Sequence, residues 1–114
     1  LVIASPMWNF LMPYKMKQYL DLVIQPNITF MRKDAEYKDA VKKKKVALFL
    51  ARNGKYVEGS PLDFQKPYFK TALGMMGLDN QHFIMIEGTG AKPEEVTAMH
   101  TAKINEALVL AKEF

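Results

Sequence analysis

The sequence of 114 residues contains no cysteine, which excludes disulfides, thiolate nucleophiles and cysteine-ligated metal sites. This absence fits a reducing compartment, and we expect the protein to be cytoplasmic. The sequence also has no apolar run as long as the ~20 residues that a membrane-spanning helix needs, and no signal-peptide pattern. We therefore expect no membrane partner. A Ser-His-Asp constellation and a glycine-rich P-loop are missing as well.

Metal-ligating patterns are equally scarce. His82 and His100 are far apart in the sequence, and neither has a ligand partner at a suitable spacing, so we predict no metal site. Glu94 and Glu95 form an adjacent carboxylate pair. Their place at the start of a predicted helix explains them, because acidic side chains there interact favourably with the helix dipole.

The positive charge is concentrated rather than spread over a face. The net charge is +4, and four lysines follow one another at Lys42–Lys45. Such a run is typical of a solvated segment leading into a strand, whereas single-stranded nucleic-acid surfaces combine basic and aromatic side chains. We expect no nucleic-acid partner and keep a basic nucleic-acid-binding module only as a remote alternative.

Three short apolar runs alternate with helical patterns, at Leu1–Ala4, Val46–Leu50 and His82–Ile86. Unbroken apolar runs are typical of parallel strands that are covered on both faces. The alternation of strands and helices predicts an α/β fold, with a parallel sheet, right-handed crossovers and helices on both faces. A length of 114 residues, of which 49% are hydrophobic, suffices for one domain.

Three helices are predicted between and after these strands. The first spans Pro13–Ile24, and the second runs from Asp63 or Lys66 to Met76 and stops at Gly77. The third opens at Pro93. The side chains expected to face the sheet are, in chain order, Met16, Tyr19, Leu20 and Val23, then Phe69, Leu73 and Met76, then Val96, Met99, Ile104, Ala107, Leu108 and Ala111.

The segment between the first helix and the second strand is the least regular. Ile28–Met31 is expected to be a short extended piece. Arg32–Lys45 is highly charged and is expected to be solvated, with a turn or a short helix.

Two loops follow strand ends. The first strand breaks at Ser5-Pro6 and continues into Met7-Trp8-Asn9-Phe10, a loop that sets apolar side chains around one amide. The second strand ends in Ala51-Arg52-Asn53-Gly54. Because ligands of open parallel sheets bind beyond the carboxyl ends of the strands, the first loop would suit a planar, mostly apolar ring with a polar rim. An ordinary strand-to-helix turn explains the same pattern about as well, and the second loop alone is only a turn with a glycine.

The residues of these loops also resemble a known family. Pro6-Met7-Trp8-Asn9-Phe10, with Leu20-Asp21-Leu22-Val23 and Ile28-Thr29-Phe30, resembles the FMN-dependent NADH:azoreductases, which are flavodoxin-like quinone reductases. Their loop usually has tyrosine where this chain has Trp8. The resemblance continues at Ala51-Arg52-Asn53-Gly54, where the family usually has Ser-Arg-Gly-Gly, and at Pro67-Tyr68-Phe69, Leu73-Gly74 and Glu87-Gly88. It covers most of the chain.

The resemblance implies that residues 1–114 form the carboxyl-terminal portion of a single flavodoxin-like FMN-binding domain, with its last three strands only. Family members carry two further strands, two helices and the phosphate-binding loop before this portion. A strand as apolar as Leu1–Ala4 should also be central, because at an edge it would invite aggregation. We therefore expect further sequence before Leu1.

Site residues follow from the resemblance by position. Met7, Trp8, Asn9 and Phe10 are implied to hold the isoalloxazine ring of FMN, with backbone amides and Asn9 at its polar edge. Trp8 and Phe10 are also implied to shape part of the substrate pocket.

The second loop, Ala51, Arg52, Asn53 and Gly54, is implied to lie by the pyrimidine end of the ring, where amides hydrogen-bond a ring that becomes electron-rich on reduction. Asn53 replaces the usual glycine and adopts left-handed geometry less freely. Tyr56, where some relatives carry histidine, is either a proton donor near the flavin or, as we favour, a surface tyrosine.

The implied function is an FMN-dependent NAD(P)H oxidoreductase that reduces quinones and azo compounds by two-electron ping-pong transfer. NADH or NADPH is the electron donor, no side chain acts as a catalytic nucleophile, and a homodimer is expected because the relatives form one. The alternative is a truncated, non-catalytic flavodoxin-like fragment that does not hold FMN. It stays open because the phosphate of FMN is normally received at a helix amino terminus, in a loop that this sequence does not contain.

Overall fold

The computed structural model of the chain describes residues 1–33, 36–39, 41 and 44–114. Its strands are β1 (Val2–Pro6), β2 (Phe30–Lys33), β3 (Glu36–Asp39), β4 (Val46–Arg52) and β5 (Gln81–Glu87). Its helices are α1 (Tyr14–Val23), α2 (Gln65–Gly74) and α3 (Pro93–Glu113). The first, fourth and fifth strands form one parallel sheet in the order β1-β4-β5. The predicted α/β fold with a parallel sheet is confirmed.

The sheet carries helices on both faces, as predicted. In a parallel sheet, residues that lie opposite each other in the register point to the same face, and Leu48 lies opposite both Ile3 and Phe83. On this face the core is formed with side chains of α1 and α2 and the segments beside them. Its fully or nearly fully buried members are Ile3, Met12, Leu20, Val46, Leu48, Leu50, Phe69, Leu73, Met76 and Leu78. The opposite face, with Phe49 and Ile86, is covered by α3.

The second helix follows the prediction closely. Phe69, Leu73 and Met76 are 0%, 1% and 6% exposed, and they form the predicted inner stripe. The helix ends before Gly77, which has a φ of +81°. A left-handed residue just beyond a helix ends it at little cost when it is glycine, because glycine has no Cβ.

The other two helices differ from the prediction in their buried faces. On α1, Tyr19 is 59% exposed, although it was predicted to face the sheet. On α3 the buried face is rotated about the helix axis relative to the predicted one. Ile104, Leu108 and Ala111, which were predicted to face the sheet, are exposed. The half-buried residues of this helix are instead Val96, Met99, Lys103, Ala107 and Leu110. The aliphatic stem of a lysine occupies an inner position here, which a pattern of apolar residues does not reveal.

The charged segment between α1 and β4 also differs from the prediction. The expected extended piece at Ile28–Met31 is represented by β2, which pairs with β3 in an antiparallel register where Phe30 lies opposite Asp39. Within Arg32–Lys45 the structure describes the end of β2 and the whole of β3, a strand pair that was not predicted and that forms because two short strands satisfy each other's backbone groups. The expected turn or short helix falls in part on residues 34, 35 and 40, which lie outside the described residues. In the lysine run, Lys42 and Lys43 lie outside the described residues, while Lys44 and Lys45 are exposed.

The central position expected for the first strand belongs to a larger sheet that includes further sequence before Leu1, and it stays a prediction. In the three-stranded sheet of this chain, β1 lies at the edge. Its side chains alternate, with Ile3 and Ser5 buried and Val2 64% exposed. An open and mostly apolar groove of about 560 Å³ follows this edge, and Val2, Tyr19 and Val23 are among the residues that line it. This groove lies along the strand and α1 rather than at the carboxyl ends of the strands.

Two leucines of α1 provide a matched test of this packing. Leu20 is 1% exposed within the core. Leu22 is two residues further along the same helix, points in a different direction and is 68% exposed. We expect Leu20→Ala to lower the free energy of unfolding by about 2–5 kcal/mol, because it removes buried methyl groups and leaves a cavity. Leu22→Ala should change it by no more than about 0.5 kcal/mol. Urea denaturation followed by circular dichroism measures both, and equal effects would contradict the packing described here.

Candidate functional site

The carboxyl ends of the three parallel strands lie side by side. Pro6 is opposite Ala51, and Arg52 is opposite Glu87. Beyond these pairs the Met7 N–H donates to the Ala51 carbonyl at 2.7 Å, and the Thr89 N–H donates to the Arg52 carbonyl at 3.4 Å. The two predicted loops, which begin at Met7 and Ala51, are therefore neighbours at one edge of the sheet.

The first loop forms a tight turn. The Trp8 N–H donates to the Leu11 carbonyl at 3.2 Å, and the Leu11 N–H donates to the Trp8 carbonyl at 3.1 Å. The two central residues, Asn9 and Phe10, have φ values of +48° and +67°. Left-handed geometry at both central positions is the mark of a type I′ turn. It is uncommon for a bulky residue such as Phe10, and strain of this kind concentrates at functional sites.

This turn presents aromatic rings and backbone donors to the surface. Trp8 and Phe10 are 58% and 46% exposed, while Met7 is half-buried. Within the described residues, no acceptor pairs with the N–H groups of Asn9 and Phe10. An open cavity of about 590 Å³ lies beside the turn, between Asn9 and Leu11 on one side and α2 on the other.

The second loop is anchored by a buried cation. The Arg52 side chain is 3% exposed, and its Nη1 lies 2.7 Å from Asp63 Oδ2 while its Nε lies 3.0 Å from Glu87 Oε1. These N–H groups are at ion-pair distance from the carboxylates without being well aligned as hydrogen bonds. The centre of the Tyr56 ring lies 4.9 Å from the guanidinium carbon, and the backbone N–H of Tyr56 donates to Glu87 Oε1 at 3.1 Å. The guanidinium therefore points into the fold.

A close approach of the Tyr56 ring favours glycine at the end of this loop. A Cβ on Gly54 would lie 3.0–3.1 Å from atoms of the Tyr56 ring, which is half-buried rather than at the open surface. Asn53 does not have a positive φ, and its side chain lies against Gly90, where a Cβ would collide with it. Replacement of the usual glycine by Asn53 thus needs no left-handed backbone.

The backbone N–H groups of the second loop, like those of the first, are available to a ligand. In the part of the chain that the structure describes, no acceptor pairs with the N–H groups of Asn53 and Gly54. Adjacent loops that offer free backbone donors, with exposed aromatic rings beside them, fit a planar ring whose rim carries acceptors. The isoalloxazine of FMN has such a rim, so the residues present fit this group. Described residues contain no cluster of three or more potential metal ligands among His, Asp and Glu.

Three further residues at this edge were not predicted as site residues. Asp63 pairs with Arg52, the Phe64 N–H donates to the Phe10 carbonyl at 3.2 Å, and the Gln65 side chain reaches the end of β1. They precede or begin α2, and a pattern analysis treats such residues only as the start of a helix. No signal in the sequence distinguishes them.

The sheet order, the alternation of strands and helices and the site at the carboxyl edge define a flavodoxin-like α/β protein. The family model described as the flavodoxin-like fold matches residues 1–108. The chain therefore belongs to the flavodoxin-like fold family. None of the helices in the described residues combines the length and hydrophobicity that crossing a membrane requires.

Individual relatives agree with this assignment. An FMN-dependent NADH:quinone oxidoreductase of Desulfotalea psychrophila is 43% identical over 118 aligned residues, covering 98% of this chain and 54% of the relative. An enzyme of the same name from Nitratidesulfovibrio vulgaris is 37% identical, covering 99% and 56%. The crystal structure of an azoreductase from Bacillus anthracis strain Sterne superposes with a TM-score of 0.85 at 26% identity, covering 99% and 56%. The chain spans about half the length of the curated relatives it matches.

The buried cluster around Arg52 predicts a measurable asymmetry between ion pairs. Arg52→Met leaves the carboxylates of Asp63 and Glu87 without their cation, and we expect a loss of about 3–5 kcal/mol in the free energy of unfolding. Lys17→Met removes an exposed pair with Asp21 and should have a much smaller effect, because solvent screens exposed ion pairs. Urea denaturation measures both losses. Similar losses for the two variants would show that the Arg52 cluster is not a buried anchor.

Proposed function

We propose that the protein is an FMN-dependent NAD(P)H oxidoreductase that reduces quinones and azo compounds. The observation that carries this proposal is the pair of adjacent loops at one sheet edge, beside the exposed rings of Trp8 and Phe10. Each loop has backbone N–H groups for which the described residues provide no acceptor. The names of the relatives, FMN-dependent NADH:quinone oxidoreductase and azoreductase, support it. A homodimer and a cytoplasmic location belong to the same proposal.

The chain's own residues would bind and orient the flavin ring. Met7, Trp8 and Phe10 supply apolar surface for its faces, and the N–H groups of Asn9, Phe10, Asn53 and Gly54 supply donors for its rim. When bound, FMN would supply two-electron redox chemistry between a nicotinamide donor and a quinone or azo acceptor. Backbone donors at the pyrimidine end would stabilise the extra electron density of the reduced ring and so raise its potential.

Within this proposal Arg52 acts through the backbone of its loop rather than by touching the ring. Its buried pairs with Asp63 and Glu87 fix the strand end from which Asn53 and Gly54 extend. Ala51, the residue before Arg52, is fixed as well, because its carbonyl accepts a hydrogen bond from the Met7 N–H. Tyr56 covers Gly54 and the guanidinium, which supports a packing role over proton donation.

A flavin titration tests the proposal directly. Trp8 is the single tryptophan of the sequence, so its emission reports on the first loop. We expect added FMN to quench this emission saturably. Without oxygen, the complex should oxidise only as much NADH as it holds FMN until a quinone or azo acceptor is supplied, and should turn over repeatedly once it is. Parallel lines in double-reciprocal plots at varied acceptor concentration would support the ping-pong order. A protein that leaves FMN fluorescence and Trp8 emission unchanged would instead be the non-catalytic fragment.

Substitutions at Asn9 separate backbone from side-chain contributions. Asn9 has a φ of +48°, which glycine adopts freely and a β-branched residue strongly resists. If the backbone N–H groups hold the ring, Asn9→Gly should keep FMN affinity within about threefold, whereas Asn9→Val should weaken it more than about tenfold, because the turn must be remodelled at a cost of roughly 1–3 kcal/mol. The same fluorescence titration measures both. Equal losses for the two variants would assign the contact to the Asn9 side chain instead.

A further inference from the structure

Three consecutive residues connect the start of α2 with both candidate loops. Asp63 holds the second loop through its 2.7 Å pair with Arg52, and the Phe64 N–H donates to the Phe10 carbonyl inside the type I′ turn at 3.2 Å. Gln65 holds the base of the first loop. The segment Asp63-Phe64-Gln65 therefore spans the two loops, which are separated by more than forty positions in the chain.

Gln65 makes the most demanding of these contacts. The residue is 0% exposed, and its Nε2 donates to the Pro6 carbonyl at 2.8 Å and to the Ser5 carbonyl at 3.3 Å. Both partners are acceptors, so only the NH₂ end of the amide can face them, and the orientation of the side chain is fixed. Its Oε1 has no partner within the described residues, which shows that the two carbonyls rather than the oxygen determine its position.

We propose that Gln65 is a positioning residue that sets the Trp8–Leu11 turn, and through it the first flavin loop. The turn begins two residues after Pro6, so a displacement of the Pro6 carbonyl moves the turn directly. Without the Nε2 donor, the Phe64 N–H bond to the Phe10 carbonyl would be the remaining hydrogen bond from the start of α2 to this loop within the described residues. The consequence for FMN rests on the proposed function, whereas the consequence for the turn does not.

A second glutamine supplies a matched control. Gln81 also donates two hydrogen bonds from Nε2 to backbone carbonyls, at 3.1 Å to Lys70 and at 2.7 Å to Leu78. Its Oε1 is likewise buried without a partner in the described residues. Gln81 begins β5, however, and so lies at the amino edge of the sheet, away from both loops. If Gln65 only stabilised the fold as a whole, replacing either glutamine should have the same effect on amide exchange in the Trp8–Leu11 turn.

The test compares Gln65→Met with Gln81→Met in the purified protein. Methionine keeps the volume of the side chain and removes the donor. Amide hydrogen exchange, followed by NMR, is measured at the Trp8 and Leu11 N–H groups that close the turn, and at Leu48 in β4 as a reference for global opening. We expect exchange at Trp8 and Leu11, relative to Leu48, to be about tenfold faster in Gln65→Met and unchanged within about twofold in Gln81→Met. Unchanged exchange in Gln65→Met, or an equal rise in both variants, would overturn the proposal.

Two additions keep the test decisive. If Gln65→Met does not fold, Gln65→Asn retains an amide that is one methylene too short, and it should show the same local rise in exchange at Trp8 and Leu11. FMN titration then separates the two proposals. A wild-type protein that binds FMN should lose about tenfold in affinity with Gln65→Met and keep it with Gln81→Met. A wild-type protein that ignores FMN would contradict the proposed function, while the exchange rates would still decide the role of Gln65.

Discussion

The candidate site depends on the parallel pairing of β4 with both of its neighbours. Because β1, β4 and β5 run in one direction, their carboxyl ends meet at a single edge, and the loops that follow them become adjacent without any further device. The hydrogen bond from the Met7 N–H to the Ala51 carbonyl extends the ladder beyond the strands into the loops. An antiparallel β4 would place its loop at the opposite edge, where no common ligand could touch both.

The polar groups inside the fold are gathered at the same edge. In the described part of the chain, the buried polar or charged residues are Ser5, Arg52 and Gln65, at 3%, 4% and 0% exposure. All three lie at the carboxyl ends of β1 and β4 or in the segment that contacts them. Burial of polar side chains is unfavourable unless partners are supplied, and an apolar side chain serves stability at least as well. In this structure Arg52 and Gln65 fix loop geometry through directional contacts to Asp63, Glu87 and the Pro6 carbonyl, which apolar packing would specify less sharply.

The sequence predicted the elements well and their details unevenly. Short apolar runs identified the three parallel strands, although only β4 is buried on both faces and the side chains of β1 alternate between buried and exposed. The face of α3 was misjudged because Lys103 occupies an inner position with its stem, and the β2–β3 pair was missed because charged residues form it.

The loops of the candidate site were predicted as segments, and Arg52 was predicted as a site residue, but the partners of Arg52 and the role of Gln65 were not. Arg52 meets Asp63 and Glu87, which are distant in the chain, and Gln65 has no periodic or motif signal at all. Contacts between side chains and backbone carbonyls of another element depend on tertiary structure alone. A resemblance can indicate which segments lie near a ring, but it does not reveal which buried amide or guanidinium keeps those segments in place.

The type I′ turn shows how such a framework stabilises a strained conformation. Left-handed geometry at Asn9 and Phe10 costs on the order of 1–3 kcal/mol for each residue. Three hydrogen bonds oppose this cost: two close the turn between Trp8 and Leu11, and one reaches it from the Phe64 N–H, each with a net contribution of about 1 kcal/mol. Gln65 adds a contact to the Pro6 carbonyl just before the turn. The sums are comparable, so the turn persists through its surroundings and not through the preferences of its own residues. A loop held in this way by backbone groups tolerates changes of side chain, because the side chain of Trp8 takes no part in the hydrogen bonds that close the turn.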